Sequence, residues 1–229
     1  MPLHSLQHLS PNAVLGLWHL TETAAELWPQ LPQPETYQSL LPATAAPIRQ
    51  SQWLAGRALV HALAPALVAD VPGSLLLQND ATGRPWLAGA TPGLTVSLSH
   101  SGAWVAAVLA RGGRVGVDVE MIRDKAQRLA AKFLASPEWD AAKAACQATP
   151  EAASAHFTLL WSAKETLYKL AAQRGIIFKT QLLLDDFHPQ ESGEIPATLV
   201  LGGAQTRHCI CYSQPAPGYV LTYSHESAA

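Results

Sequence analysis

The chain has 229 residues, 48% of them hydrophobic and 14% charged, with 15 Lys and Arg against 17 Asp and Glu for a net charge of −2. That much apolar material excludes a disordered chain and suffices for one large domain or two small lobes. The absence of a basic excess argues against bulk nucleic-acid binding, so an anionic ligand must be held by a few placed cations.

The first residues lack a basic segment followed by an apolar run, and the longest apolar run, 103–110, is too short to cross a bilayer. A soluble cytoplasmic protein with no membrane contact is expected. Residues 28–47 carry Pro29, Pro32, Pro34, Pro42 and Pro47. Each fixes φ and removes a donor, so the stretch reads as loop with a turn or two of helix over 35–41. From 48 to 64, Trp53, Leu54, Ala58, Leu59, Ala62 and Leu63 recur at three- and four-residue steps. That is one apolar helix face, and Pro65 disfavours its continuation. Residues 75–78 read as a strand, followed by the turn Asn79-Asp80-Ala81-Thr82-Gly83.

Over 94–99, Leu94, Val96 and Leu98 alternate with Thr95, Ser97 and Ser99, the pattern of a strand with one buried face. Residues 104–110 are apolar on both faces and predict a central strand. Gly112-Gly113 then turns into a third strand, 115–120, and three strands with short connections imply an antiparallel meander. Helices are predicted over 124–134, from Ser136-Pro137-Glu138 to about 146, and from Thr149-Pro150-Glu151 to about 173, with Gly175 as the stop. Strands are expected at 176–178, 198–201, 208–212 and 219–223. The order is α+β twice over, with a lobe boundary near Gly112-Gly113.

The three cysteines are Cys146, Cys209 and Cys211. An odd count with one residue between the last two is neither a disulfide framework nor a zinc spacing. On a strand Cys209 and Cys211 share a face, where buried small residues are a better reading than redox chemistry.

Three segments carry candidate chemistry. In Val115-Gly116-Val117-Asp118-Val119-Glu120, residues two apart point the same way, so the valines face the core and Asp118 and Glu120 project together. Two adjacent carboxylates repel unless a cation sits between them, and a hard divalent ion such as Mg²⁺ suits oxygen ligands. The other reading is an edge strand with two solvated acids. In the long helix, Trp161, Glu165 and Lys169 lie four apart on one face. Glu165 and Lys169 alone would read as a surface ion pair, but the preceding tryptophan points to a partly buried site. In Ser97-Leu98-Ser99-His100-Ser101-Gly102, a strand-end histidine among hydroxyls can offer donors to phosphate oxygens, or be merely structural. Arg49, Arg57 and Arg84 supply further cations, whose planar forks suit phosphates.

Gly83-Arg84-Pro85, Ser97-Leu98-Ser99-His100-Ser101, Gly116-Val117-Asp118-Val119-Glu120 and Trp161-Ser162-Ala163-Lys164-Glu165 with Lys169, in this order and spacing, resemble the 4′-phosphopantetheinyl transferase family. The length resembles the monomeric surfactin-type branch. The resemblance runs from about Arg49 to about Phe178. It implies an α+β fold of two similar lobes, each an antiparallel sheet packed with helices, related by pseudo-twofold symmetry. Residues 1–112 would form the N-terminal lobe on the coenzyme A nucleotide side, and 113–229 the lobe with the metal and catalytic helix.

It implies transfer of the 4′-phosphopantetheine arm from coenzyme A to a serine of an apo carrier protein, as in holo-[acyl-carrier-protein] synthases, leaving adenosine 3′,5′-bisphosphate. Asp118, Glu120 and Glu165 resemble the Mg²⁺ ligands, His100 the phosphate contact and Lys169 the lysine that stabilises the transferred phosphate. Glu138 resembles the acid after a Phe-Ser-x-x-Glu pattern, with the serine kept and the phenylalanine shifted by two places, and would take the serine proton. Arg49, Arg57, Arg84, Ser99 and Lys164 would join His100 and Lys169 in holding coenzyme A. Lys125, Arg128 and Lys132, on one face of the helix over 124–134, form the densest basic run and are expected to dock an acidic carrier; a solvated basic face is the other reading. A coenzyme A or carrier-binding module without turnover and a Mg²⁺-dependent phosphohydrolase are the competing functions.

Overall fold

The apolar run at 104–110 becomes an interior strand. In the computed structural model, which describes residues 3–41, 46–89, 93–148 and 150–227, the chain forms two units. One holds the residues to Val115 together with those from His225, and the other runs from Gly116 to Ser224.

The first unit opens with β1 (Leu3–Ser10) and β2 (Ala13–His19). Neither strand was read from the sequence, because His4, His8 and Ser10 on β1 dilute the apolar pattern. α1 (Ala24–Leu27) follows, capped reciprocally by Thr23 and Glu26. A single 3₁₀ turn, Trp28–Gln30, leads to α2 (Pro34–Leu40), the short helix expected in the proline-rich stretch. Pro42 lies outside the described residues. α3 (Pro47–Leu63) is the long apolar-faced helix. β3 (Leu76–Asn79) and β4 (Pro85–Ala88) form a separate hairpin, then come β5 (Leu94–Ser101) and β6 (Trp104–Arg111). The antiparallel sheet has the order β1-β2-β6-β5. Leu54, Leu59 and Leu63 of α3 pack on Val14, Val105 and Leu109 in its core. Gly16 makes room for them: a Cβ there would stand 2.6 Å from Leu63 Cδ2 and 2.9 Å from Leu59 Cδ1.

β7 (Arg114–Met121) corrects the expected meander. It does not pair with β6 but forms the edge of a second sheet, ordered β7-β11-β10-β9-β8. Gly112 and Gly113, at φ 76° and 74°, make the turn that sends it there. α4 (Asp124–Phe133), α5 (Ser136–Ala148), a 3₁₀ turn at Pro150–Ala152 and α6 (Ala153–Ala171) follow. Thr149, expected to start that helix, lies outside the described residues. The helix stops earlier than Gly175, at Ala172, which takes the left-handed conformation at φ 57°. Residues 176–178 are not a strand; they lead into α7 (Phe178–Gln181) and β8 (Leu182–Leu184). β9 (Ser192–Leu201), β10 (Ala204–Ser213) and β11 (Tyr219–Glu226) contain the three other expected strands. Leu167 and Leu170 of α6 join Phe133, Ile195, Ala197 and Ile210 in the second core. The fold is therefore α+β, with antiparallel sheets packed by helices. Among the described residues no helix is long and apolar enough to cross a membrane.

Candidate active site

The apolar alternation of β7 buries Val115, Val117 and Val119. On its other face the alternative reading was two solvated acids, yet Asp118 is only 4% exposed. The cause is Gly116. A Cβ there would run into the Thr166 carbonyl oxygen and stand 3.2 Å from Leu170 N, so the missing side chain lets α6 lie directly on the strand. Sequence reasoning gave Gly116 no role; the available signal was a lone glycine among valines. Buried hydroxyls complete the seam: Ser162 Oγ lies 2.9 Å and Thr166 Oγ1 2.7 Å from Thr222 Oγ1 of β11.

This close packing turns the Trp161, Glu165 and Lys169 face of α6 onto the two acids of β7. Trp161 Nε1 donates to Glu120 Oε1 at 3.2 Å, and its ring is fixed by Phe133 and Phe178 at 5.1 and 5.7 Å. Lys169 Nζ donates to Asp118 Oδ1 and to the Val117 carbonyl, both at 2.8 Å. Its ion pair thus crosses to β7. Glu165 is pushed up to about 7 by burial first, then by the Asp118 charge, with Lys169 opposing and Glu120 adding to the rise. The structure therefore brings Asp118, Glu120, Glu165 and Lys169 together. Three carboxylates and one ammonium leave negative charge that holds Glu165 partly protonated near neutrality. An all-oxygen donor set in that state fits a hard divalent cation, which would replace the proton.

Glu138 and Lys164 have a different placement from the one the resemblance implied. Lys164 Nζ donates to Glu138 Oε2 at 2.6 Å, to the Phe133 carbonyl at 2.9 Å and to the Phe178 carbonyl at 3.2 Å. Glu138 accepts further from the backbone N–H of Ala135 (2.6 Å) and Leu184 (2.7 Å). All three ammonium donors and both carboxylate oxygens are engaged. The pair ties α5, α6, α7 and β8 together, so in this structure the two residues expected at the proton transfer and at coenzyme A hold each other.

The first unit holds the other expected cations. Arg49, exposed on α3, has Nη1 3.1 Å from Nδ1 and 3.4 Å from Nε2 of His100, and it donates to the ring nitrogen that carries no proton. His100 and Ser99 are partly buried at the end of β5. Arg84 is exposed in the β3–β4 turn, where its N–H donates to Asp80 Oδ1 at 3.0 Å. Arg57 is buried. It is 4% exposed, lies over the Trp53 ring at 3.3 Å, and donates to Asn79 Oδ1 at 2.7 Å and the Trp53 carbonyl at 3.1 Å. Asn79 in turn donates to the Gly83 carbonyl at 2.8 Å. Arg57 therefore braces the turn that presents Arg84.

On α4, Lys125, Arg128 and Lys132 are exposed, and Arg128 pairs with Asp124 at 2.6 Å. Leu129 and Phe133 pack into the core.

A family model described as the 4′-phosphopantetheinyl transferase superfamily matches residues 114–224. The chain is similar to the 4′-phosphopantetheinyl transferase AcpT of Salmonella typhi, at 35% identity over 130 residues covering 56% of this chain and 60% of that protein. It is similar also to AcpT of Escherichia coli O157:H7, at 36% identity over 133 residues covering 56% and 59%. The matches thus span about three-fifths of the length of these curated relatives.

Proposed function

We propose that this chain, whose residues 114–224 match the 4′-phosphopantetheinyl transferase superfamily, moves the phosphopantetheine arm of coenzyme A onto a serine of an apo carrier protein. The observation that carries this reading is the junction of β7 and α6, where Asp118, Glu120, Glu165 and Lys169 meet. In the proposed step the serine oxygen forms a bond to the phosphorus that bears pantetheine. The bond from that phosphorus to the bridging oxygen breaks, and adenosine 3′,5′-bisphosphate leaves with the electron pair.

Asp118, Glu120 and Glu165 would hold a divalent cation, Mg²⁺ in our reading, which supplies charge neutralisation at the pyrophosphate. Trp161 holds Glu120 in place. Lys169, anchored by the Val117 carbonyl, adds a positive charge for the phosphoryl oxygens. Glu138, the acid expected to take the serine proton, is engaged with Lys164 in this structure and would have to exchange that contact to act as the base. Nucleotide binding is assigned to Arg49, Arg84, Ser99 and His100 of the first unit, carrier docking to the exposed face of α4, and the reaction to the cytoplasm.

The test is incubation of the protein with coenzyme A, Mg²⁺ and an apo carrier, read by intact mass. Carrier mass should rise by one phosphopantetheine per modified serine, with adenosine 3′,5′-bisphosphate released in equal amount. Coenzyme A breakdown without carrier modification would make the protein a phosphohydrolase. A coenzyme A-dependent rise in melting temperature with neither product would make it a binding module.

A further inference from the structure

The face of the second sheet opposite its core carries a group that the transfer reaction does not use. β10 alternates strictly: His208, Ile210 and Tyr212 are buried, while Cys209 is exposed and Cys211 partly exposed. The expectation of two buried small residues therefore holds for neither thiol. The ladder adds what sequence spacing could not. Cys211 stands directly opposite Glu194 on β9 and opposite Tyr223 on β11. A carboxylate oxygen of Glu194 and the two sulfurs lie within 4.8 Å of one another.

We propose that Glu194, Cys209 and Cys211 form a binding site for a thiophilic divalent cation, with Zn²⁺ as the chemical type. Ligand atoms around tetrahedral zinc stand roughly 3–4 Å apart, given bonds of about 2.0–2.3 Å. Small rotations about χ1 on an open face close the observed spacing to that value. The rigidity comes from β10 and β9, which pair without interruption from Ala204 to Ser213. Two sulfurs and one carboxylate leave a fourth position for water, the donor count of an open zinc site. Tyr223 donates a hydrogen bond to Cys211, a partner that would support the thiolate from the outer shell. Free cysteine thiols are largely protonated near neutrality. Binding therefore breaks two S–H bonds and forms two Zn–S bonds, and the two protons pass to the buffer.

The site differs in chemistry from the carboxylate cluster on β7 and α6, and Co²⁺ separates them. Thiolate ligation gives an ultraviolet charge-transfer band, whereas oxygen ligation does not. The reduced, chelator-treated full-length protein is titrated with Co²⁺ and then with Zn²⁺ against a colorimetric chelator. The expected result is one equivalent bound with the charge-transfer band and with proton release, the Co²⁺ then being displaced by Zn²⁺ without further release. Cys209→Ser and Cys211→Ser should each lose the two-thiolate band and weaken Zn²⁺ binding by roughly 100-fold. Glu194→Gln should keep the band and weaken binding by roughly tenfold. Cys146→Ser and Asp118→Ala should leave the band intact, and circular dichroism checks that each variant is folded. A band absent from the wild type, unchanged in folded Cys209→Ser, or lost in folded Cys146→Ser overturns the proposal. So does a protein that loses two hydrogens on mild oxidation, showing a Cys209–Cys211 disulfide, yet takes up no metal when reduced.

Discussion

Lys164 and Glu138 form an ion pair inside the second unit, 2.6 Å apart, with side chains 0% and 6% exposed. Taking two charges out of water is costly, and the pair survives because each remaining donor and acceptor is also satisfied. Removing one partner strands the other. Lys164→Met should lower stability by about 3–5 kcal/mol in chemical denaturation. Lys164→Met combined with Glu138→Gln should recover part of that loss. If Lys164→Met is instead as stable as the wild type and only raises KM for coenzyme A, the lysine meets ligand and the structural assignment is wrong.

Glu165 gives the metal-free protein a pH dependence whose sign is fixed. Its folded-state pKa is raised from 4.5 to about 7. The native state therefore binds more protons than the unfolded state between those values, and stability falls as pH rises across the window. The contribution is full below about 4.5 and lost above about 7. Glu165→Gln should flatten this slope and make the chelator-treated protein more stable at pH 8, on the order of 2 kcal/mol. Mg²⁺ should raise the wild-type melting temperature at pH 8 and do little for the variant. Under the proposed function, Asp118→Ala, Glu120→Ala and Glu165→Ala each abolish transfer. A metal-free wild type with a flat pH profile through this range would show that the carboxylates are not crowded.

Gly116→Ala tests the seam between β7 and α6. The added methyl meets backbone, the Thr166 carbonyl and Leu170 N, not a flexible side-chain end. Relief requires α6 to lift from the strand, carrying Trp161, Glu165 and Lys169 away from Asp118 and Glu120. A loss of about 2 kcal/mol or more is expected, together with loss of the Mg²⁺-dependent rise in melting temperature. If the variant keeps both, α6 does not depend on this contact.

Much of this site could be read before the structure because helix and strand periods are reliable over short distances. The steps Trp161, Glu165, Lys169 and Asp118, Glu120 each fix a face by local geometry alone. What no local pattern carries is which face meets what. Arg57 and Lys164 have the same charge as Arg49 and Lys169, and only tertiary packing separates the two buried cations from the exposed Arg49 and the partly exposed Lys169. Strand partners were similarly hidden: short connections from β5 to β7 suggest a meander, but the register of β7 belongs to β11, about 100 residues later in the chain. β1 was missed because His4 and His8 dilute its apolar pattern, and β4 because it is four residues long and begins with a proline.

Ala172 ends α6 in the left-handed conformation, at φ 57° and ψ 25°, where a Cβ is unfavourable. Glycine is the usual residue at such a stop, and the glycine that the sequence offers, Gly175, lies three residues too late. Ala172→Gly should therefore raise stability by about 0.5–1 kcal/mol without altering transfer. A decrease would mean that the entropy gained by the unfolded chain exceeds the strain relieved.

The exposed face of α4 bears on the partner. Lys125 and Lys132 stand free of the Asp124–Arg128 pair, which already neutralises the charge between them. Leu129 and Phe133 are committed to the core, so this face offers charge and no apolar anchor. Docking of that kind acts mainly on association rate and weakens as salt screens it. If the face receives an acidic carrier, Lys125→Glu with Lys132→Glu should raise KM for the carrier about tenfold or more at low ionic strength. The difference should shrink as salt approaches a Debye length of about 8 Å, near 0.15 M. KM for coenzyme A should not move, because these side chains are assigned no part in holding it. Arg128→Ala should have the smaller effect, since it also frees Asp124 to repel the carrier only locally while removing one already compensated charge. Carrier kinetics indifferent to both the double reversal and ionic strength would make this helix face solvated surface and place the docking elsewhere.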